Sequence, residues 1–229
     1  MVGNDMQNAL AANYEALLLS YAIGALDQAQ SLIVATHLAL SPQARAFIRH
    51  CEAVGGALIE HDCAPVAMSS GALEHVLGCI GNPSQQKTHT HHIEETVLVF
   101  PEDLALPDLV LRSIHCRPCK PAWRSPLPGL KSYDLPLACK QSKSRLVKLE
   151  PAVQTPHHTH QGLEITLVLN GALSDDSGYY SAGDMLVSDE GIEHSQTACK
   201  KQGCVCMVVT SAPLRIGGLA GLINSFLRF

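Results

Sequence analysis

From Ser144 to Val209 the chain consists of short β-favouring runs cut by turn residues, and no other feature restricts its fold as strongly. Arg145-Leu146-Val147-Lys148-Leu149 is followed by Glu164-Ile165-Thr166-Leu167-Val168-Leu169, then by Met185-Leu186-Val187 and Val205-Cys206-Met207-Val208-Val209. Gly171, Asp175-Asp176-Ser177-Gly178 and Gly183-Asp184 fall between these runs and supply the turns. Several strands this short and this regularly spaced point to a barrel or jelly roll.

The first 80 residues follow a different period. Apolar residues recur at helical spacing from Ala16 through Leu26 and again from Leu32 to Leu40. Ser41-Pro42 reads as an N-cap followed by proline in the first turn, opening a third helix toward Leu58-Ile59. Ser69-Ser70-Gly71 starts a short fourth helix ending near Cys79. Residues 81–92 hold turn formers without an apolar period and read as a linker, and 101–136 is proline-rich. A terminal helix is expected over Leu219–Phe226. The expected fold is therefore α+β: a helical domain at 1–80, a linker at 81–105 and a β-barrel domain at 106–229.

Hydrophobic residues make up 46% of the 229 and charged ones 16%, a balance that supports a packed core rather than disorder. A net charge of −5 gives no basic footprint for nucleic acid and suits a basic protein partner better. No run is apolar enough to span a bilayer, and Met1-Val2-Gly3-Asn4-Asp5 does not read as a signal peptide. A cytoplasmic protein with no membrane contact is expected, and nine irregularly spaced cysteines fit that compartment as reduced thiols.

His158-Thr159-His160 puts two imidazoles on one face of a strand. Glu164 follows four residues later, close enough to return to that face, and His194 ends a turn that feeds a later strand. Three imidazoles and a carboxylate suit one divalent ion, and ligand type alone does not choose among Zn²⁺, Fe²⁺, Mn²⁺, Ni²⁺ and Cu²⁺. His157 is expected to face away from that cluster.

These residues carry a resemblance. PHHTHQGLEITLVLNG resembles the first cupin motif, H-x-H-x3-E-x6-G, at His158, His160, Glu164 and Gly171. GDMLVSDEGIEH resembles the second at Gly183, Gly191 and His194, with Asp189 where cupins often carry proline. The helical half has a resemblance of its own: ALLLSYAIGALDQAQSLIVATHLALSPQAR and AVGGALIEHDCAPVAMSSGALEHVLG resemble the anti-sigma domain of the ChrR family. That family joins such a domain to a C-terminal cupin. The resemblance implies a cytoplasmic, zinc-binding anti-sigma factor that holds an extracytoplasmic-function sigma factor inactive and responds to oxidants. Zinc is accordingly the first metal expected at His158, His160, Glu164 and His194.

One departure qualifies the resemblance. The family's helical zinc site is H-x3-C-x2-C with an upstream histidine, whereas here Ser41 and Ala44 follow His37 at the cysteine positions and Ala12 stands upstream. A lone imidazole cannot close a structural zinc site. The helical half is expected to bind no zinc through this motif and to rely on packing among Leu17, Leu18, Leu32, Ile33, Val34, Phe47 and Leu58.

Other clusters point less sharply. Cys116 and Cys119 form a C-x2-C pair beside His115, readable as a redox pair or half a zinc site; with Pro118 and Pro121 opposing a helix, two reduced thiols are the favoured reading. His89, His91 and His92 with Glu94 and Glu95 read as solvated linker, while Cys204 and Cys206 share a strand face as core or pocket wall. Two functions compete. The first is a regulator that binds an extracytoplasmic-function sigma factor and whose cupin answers to an oxidant or small molecule. The second is a metal-dependent cupin dioxygenase, or a small-molecule-binding cupin, whose helices serve oligomerisation. No catalytic residue is identifiable, and Tyr179 and Tyr180 near a turn receive no role.

Overall fold

The computed structural model describes residues 2–80, Pro107, Val110, 123–137, Cys139, 141–212 and 214–216. Four helices open the chain: α1 Val2–Ala22, α2 Gln28–Leu40, α3 Pro42–Asp62 and α4 Ala72–Ile80. Eleven strands follow among the described residues: β1 Arg124–Leu127, β2 Leu130–Asp134, β3 Lys143–Leu149, β4 His158–His160, β5 Glu164–Asp175, β6 Gly178–Ser181, β7 Met185–Ser188, β8 Glu193–His194, β9 Thr197–Ala198, β10 Cys204–Thr210 and β11 Leu214–Ile216. This is the expected α+β architecture. The linker expected at 81–105, the Cys116/Cys119 pair, the His89–His92 cluster and the expected terminal helix lie outside the described residues.

The helix boundaries follow from capping. The first helix stops at Ala22, short of the expected Leu26, because Gly24 takes a left-handed φ of 71° and Asp27 already caps the next helix. Asp27 Oδ1 accepts from the Gln30 amide at 2.9 Å while Gln30 Oε1 accepts from the Asp27 amide, a reciprocal capping box. Ser41 works in both directions. Its amide donates to the His37 carbonyl and closes α2, and its hydroxyl accepts from the Ala44 amide at 3.2 Å and opens α3. The two cysteine positions of the family motif are thus a cap and a buried packing residue, Ala44.

The strands form two antiparallel sheets. In the larger, the path runs β1-β2-β3-β10-β5-β6, with β7 and β9 also pairing along β5; the smaller runs β11-β4-β8. Twelve-residue β5 organises the first sheet, pairing β10 and β7 along its first half and β6 and β9 along its second. Its bend is at Gly171, with φ of 75°, where any Cβ would run into the Gly203 carbonyl; this is the glycine of the first motif. β1 and β2 arise inside the stretch that reads as merely proline-rich, and Pro126 is tolerated because β1 lies at the sheet edge.

Alternate residues of β5 and β10 enter different cores, which explains why both runs are apolar throughout. Ile165, Leu167, Leu169, Val205, Met207 and Val209 point outward and join Leu17, Leu18, Ala29, Ile33, Val34, Ala44 and Ile48 of the helices in one cluster. Val168, Leu173, Cys204 and Cys206 point inward and pack with Leu130, Leu149 and Ala198 inside the barrel. The outer sheet face is therefore covered by α1 and α2, and the helical and β halves share a continuous core. Leu17, Leu18, Ile33 and Val34 are buried in it as expected, with Leu32 and Phe47 at its edge. Leu58 is not: it is 55% exposed on the far side of α3, beyond the reach of the sheet.

Candidate metal centre

β4 carries His158 and His160 two residues apart, so both rings fall on the barrel's inner face. Glu164 begins β5 and His194 ends β8, and β8 pairs with β4 so that His194 lies directly opposite His158. The four side chains are buried and converge. Glu164 Oε1 lies 3.9, 3.5 and 3.8 Å from Nε2 of His158, His160 and His194, and the four candidate ligand atoms all sit within 4.8 Å of one another.

Each imidazole is aimed by its other nitrogen. His158 Nδ1 donates to the Pro156 carbonyl at 2.8 Å and His160 Nδ1 to the Ile192 carbonyl at 3.1 Å. His194 Nδ1 faces Asp175 Oδ2 at 3.4 Å. These partners set the tautomers and leave all three Nε2 atoms directed at one point, and those of His160 and His194 are buried without a hydrogen-bond partner. Buried ring nitrogens left without a partner are costly unless a shared ligand occupies the point between them. Their spacing is one at which bonds of roughly 2 Å to a shared ion converge. The site could thus hold a divalent metal.

The electrostatics agree. Burial alone would raise the Glu164 carboxyl, but the imidazoles of His158, His160 and His194 hold it well below its ordinary value. Burial disfavours a charged His194, yet Asp175 and then Glu164 outweigh it and push the ring up to about 9. Asp175 is the residue that sequence reasoning missed. It reads as part of an Asp175-Asp176-Ser177-Gly178 turn, and it does hold the Ser177 and Gly178 amides through Oδ1 at 2.8 and 3.2 Å. Only the folded chain shows its second oxygen facing His194.

The neighbours fall as follows. His157 points outward, 57% exposed, with Nδ1 3.0 Å from Glu193 Oε1. Cys204 and Cys206 are both buried with their sulfurs 3.3 Å apart; Cys206 lines the cavity beside Glu164 and Cys204 packs in the barrel core. Asp189, at the cupin proline position, does more than form a turn. Its Oδ1 accepts from the Gly191 amide at 3.0 Å, and its Oδ2 accepts from Asn13 Nδ2 of α1 at 2.9 Å. The same turn delivers the Ile192 carbonyl to His160 and then His194 itself.

His37, the remnant of the helical zinc motif, is 3% exposed and engaged elsewhere. Its Nδ1 donates to the Gly183 carbonyl at 3.0 Å, which leaves Nε2 to accept from the Tyr14 hydroxyl at 2.8 Å. Burial holds its pKa below the ordinary value, consistent with a neutral ring. His50, His61, Cys51 and Cys63 form no such cluster among the described residues, where His158, His160, Glu164 and His194 are the group that comes together.

Comparison with known proteins places most of the chain. Residues 112–213 match the family described as the ChrR Cupin-like domain. Over 215 residues the sequence is 36% identical to the anti-sigma-E factor ChrR of Cereibacter sphaeroides, covering 93% of this chain and 96% of that protein. The structure is similar to ChrR in the crystal structure of Rhodobacter sphaeroides SigE in complex with the anti-sigma ChrR. There the TM-score is 0.67 at 34% identity, over 86% of this chain and 96% of that one.

Proposed function

This chain belongs to the ChrR family of anti-sigma factors, and on that footing we propose that residues 1–80 capture an extracytoplasmic-function sigma factor while the cupin half, 106–229, governs the grip. Residues 81–105 join the two as a linker. The observation that carries this reading is an apolar surface that α3 and α4 leave uncovered. Val54, Leu58, Ile59, Leu73, Val76, Leu77 and Ile80 are each at least half exposed, although α1 and α2 are packed against the sheet. Exposed apolar side chains in this number, with exposed Glu60, Asp62 and Glu74 on the same two helices, fit a partner with apolar and basic surfaces. Such a partner works in the cytoplasm, and no helix among the described residues is long and apolar enough to cross a membrane.

In the cupin half, His158, His160, Glu164 and His194 hold one divalent ion, zinc first among the candidates. A bound ion supplies a Lewis-acid centre that takes up oxygen donors from an oxidant or small-molecule signal. The chain's own residues carry the consequence outward. A shift of His160 or His194 moves the 189–194 turn, and Asp189 passes that movement to Asn13 on α1. Coupling of this kind requires that the signal favour one arrangement of the two halves over the other.

The test is co-purification of the full chain with an extracytoplasmic-function sigma factor of the same organism, comparing wild type with Leu73→Asp/Leu77→Asp. Both leucines are exposed, so the double variant should keep its melting temperature and lose the complex. A variant that still captures the sigma factor with undiminished affinity sinks this reading.

A further inference from the structure

The cavity beside the metal cluster has a lining that the anti-sigma reading does not use. It occupies about 70 Å³ inside the barrel, room for roughly five water-sized atoms. Most of its wall is aliphatic, from Leu130, Val147, Leu149, Leu173 and Val208. Six polar side chains interrupt that wall: Arg145, Thr166 and Gln196 bring hydrogen-bond donors, Thr155 accepts from the Gln196 backbone amide, and His158 and Glu164 close the cavity on the side of the metal cluster, where the imidazoles face the Glu164 carboxylate.

Two of these donors are unsatisfied. Thr166 is 2% exposed and its hydroxyl has no partner; Gln196 is 7% exposed and its Nε2 has none. Arg145, 3% exposed, donates through Nε to Asp134 Oδ1 at 3.1 Å, so its charge is anchored at the cavity edge rather than swept into solvent. Sequence position explains the convergence. Thr166 follows Glu164 on the inward face of β5, and Arg145 lies on the same inward face of β3 as Val147 and Leu149. Buried donors left without acceptors are costly, and a neutral apolar occupant would leave them so.

We propose that this cavity binds a small aliphatic monocarboxylate of four or five carbons, its carboxylate facing Arg145, Thr166 and Gln196 and its chain against the aliphatic wall. The ligand class rests on the reading of the cupin as a signal-receiving domain and makes it specific. Anionic oxygen accepts from all three donors at once, and the guanidinium favours charge over a neutral hydroxyl. The volume admits a short chain and excludes long-chain fatty acids and sugars.

Titration of zinc-loaded full-length chain with butyrate, read by calorimetry and ligand-observed NMR, tests this, with n-butanol and inorganic phosphate as matched probes. Butyrate should bind saturably with a Kd on the order of 1 mM or tighter, and neither probe should compete. Gln196→Glu, nearly the same shape but with a donor turned into an anion, should weaken butyrate about tenfold or more, and Thr166→Val should weaken it by a smaller factor. Metal content is measured on each sample, so the two readings fail separately. Zinc bound at one per chain with no saturable butyrate binding overturns this inference and leaves the metal reading standing. Butyrate binding without metal does the reverse. Equal affinity for butyrate and butanol, or undiminished binding to both variants, also overturns it.

Discussion

Replacing His37 with phenylalanine isolates what this residue does now that its family zinc partners are gone. Phenylalanine keeps a ring in the buried space and removes both hydrogen bonds, to the Gly183 carbonyl and from the Tyr14 hydroxyl. At about 0.5–1.5 kcal/mol for each bond, the loss is about 1–3 kcal/mol. The Tyr14 and Gly183 ends are only half-buried and regain water, which keeps the cost from reaching that of two fully orphaned groups. Urea denaturation of the full chain reads the change as a lower midpoint, because the core is continuous across both halves and should unfold cooperatively. The pH dependence carries a sign. In the unfolded chain the ring protonates as pH falls below 6.5, whereas folded His37 resists protonation. Its share of stability is present above pH 6.5 and drains as pH falls through the lowered folded value. The deficit of His37→Phe should therefore be full at pH 8 and shrink at pH 5. A loss under about 0.5 kcal/mol at pH 8, or a deficit that grows on acidification, would refute the bridge.

Three further outcomes follow from the same geometry. Asp175→Asn should lower metal affinity about 10- to 100-fold in a chelator competition without abolishing it, since the carboxylate orients His194 rather than ligating; unchanged affinity contradicts that role. Chelator-stripped protein should lose stability as pH rises from 6.5 through about 9, because raised His194 stabilises the metal-free fold while protonated. Zinc affinity should climb over the same window as the proton leaves, and a flat profile in both measurements counts against the arrangement. Asn13→Leu should leave both metal content and sigma capture intact but reduce the dependence of capture on metal, by a share of the roughly 1–3 kcal/mol typical of such coupling. Full dependence in that variant would show that Asp189 is not the route.

The parts legible in the sequence are those whose partners lie close along the chain. His158, His160 and Glu164 sit within seven residues on one strand and its neighbour, and the Ser41-Pro42 cap declares itself in two. The parts that were not legible depend on residues far apart. Asn13 meets Asp189 across 176 positions and His37 meets Gly183 across 146, and no local pattern marks either pair. Asp175 was hidden for another reason: its turn role is real and fully accounts for its appearance beside Ser177 and Gly178. Strand β1 was masked by Pro126, which its edge position tolerates, and β2 by the polar residues of Leu130–Asp134, where Lys131 and Asp134 stay exposed. The run in β5 was readable as a strand, but not as one covered on both faces, because that depends on where α1 and α2 dock.

Elemental analysis of the purified full chain is the most direct test of the central claim, that regulation passes through one metal site in the barrel. About one equivalent of divalent metal per chain is expected, retained in His37→Phe and lost in His158→Ala/His160→Ala. About two equivalents, or a single equivalent that disappears with His37 and survives the double substitution, would contradict it.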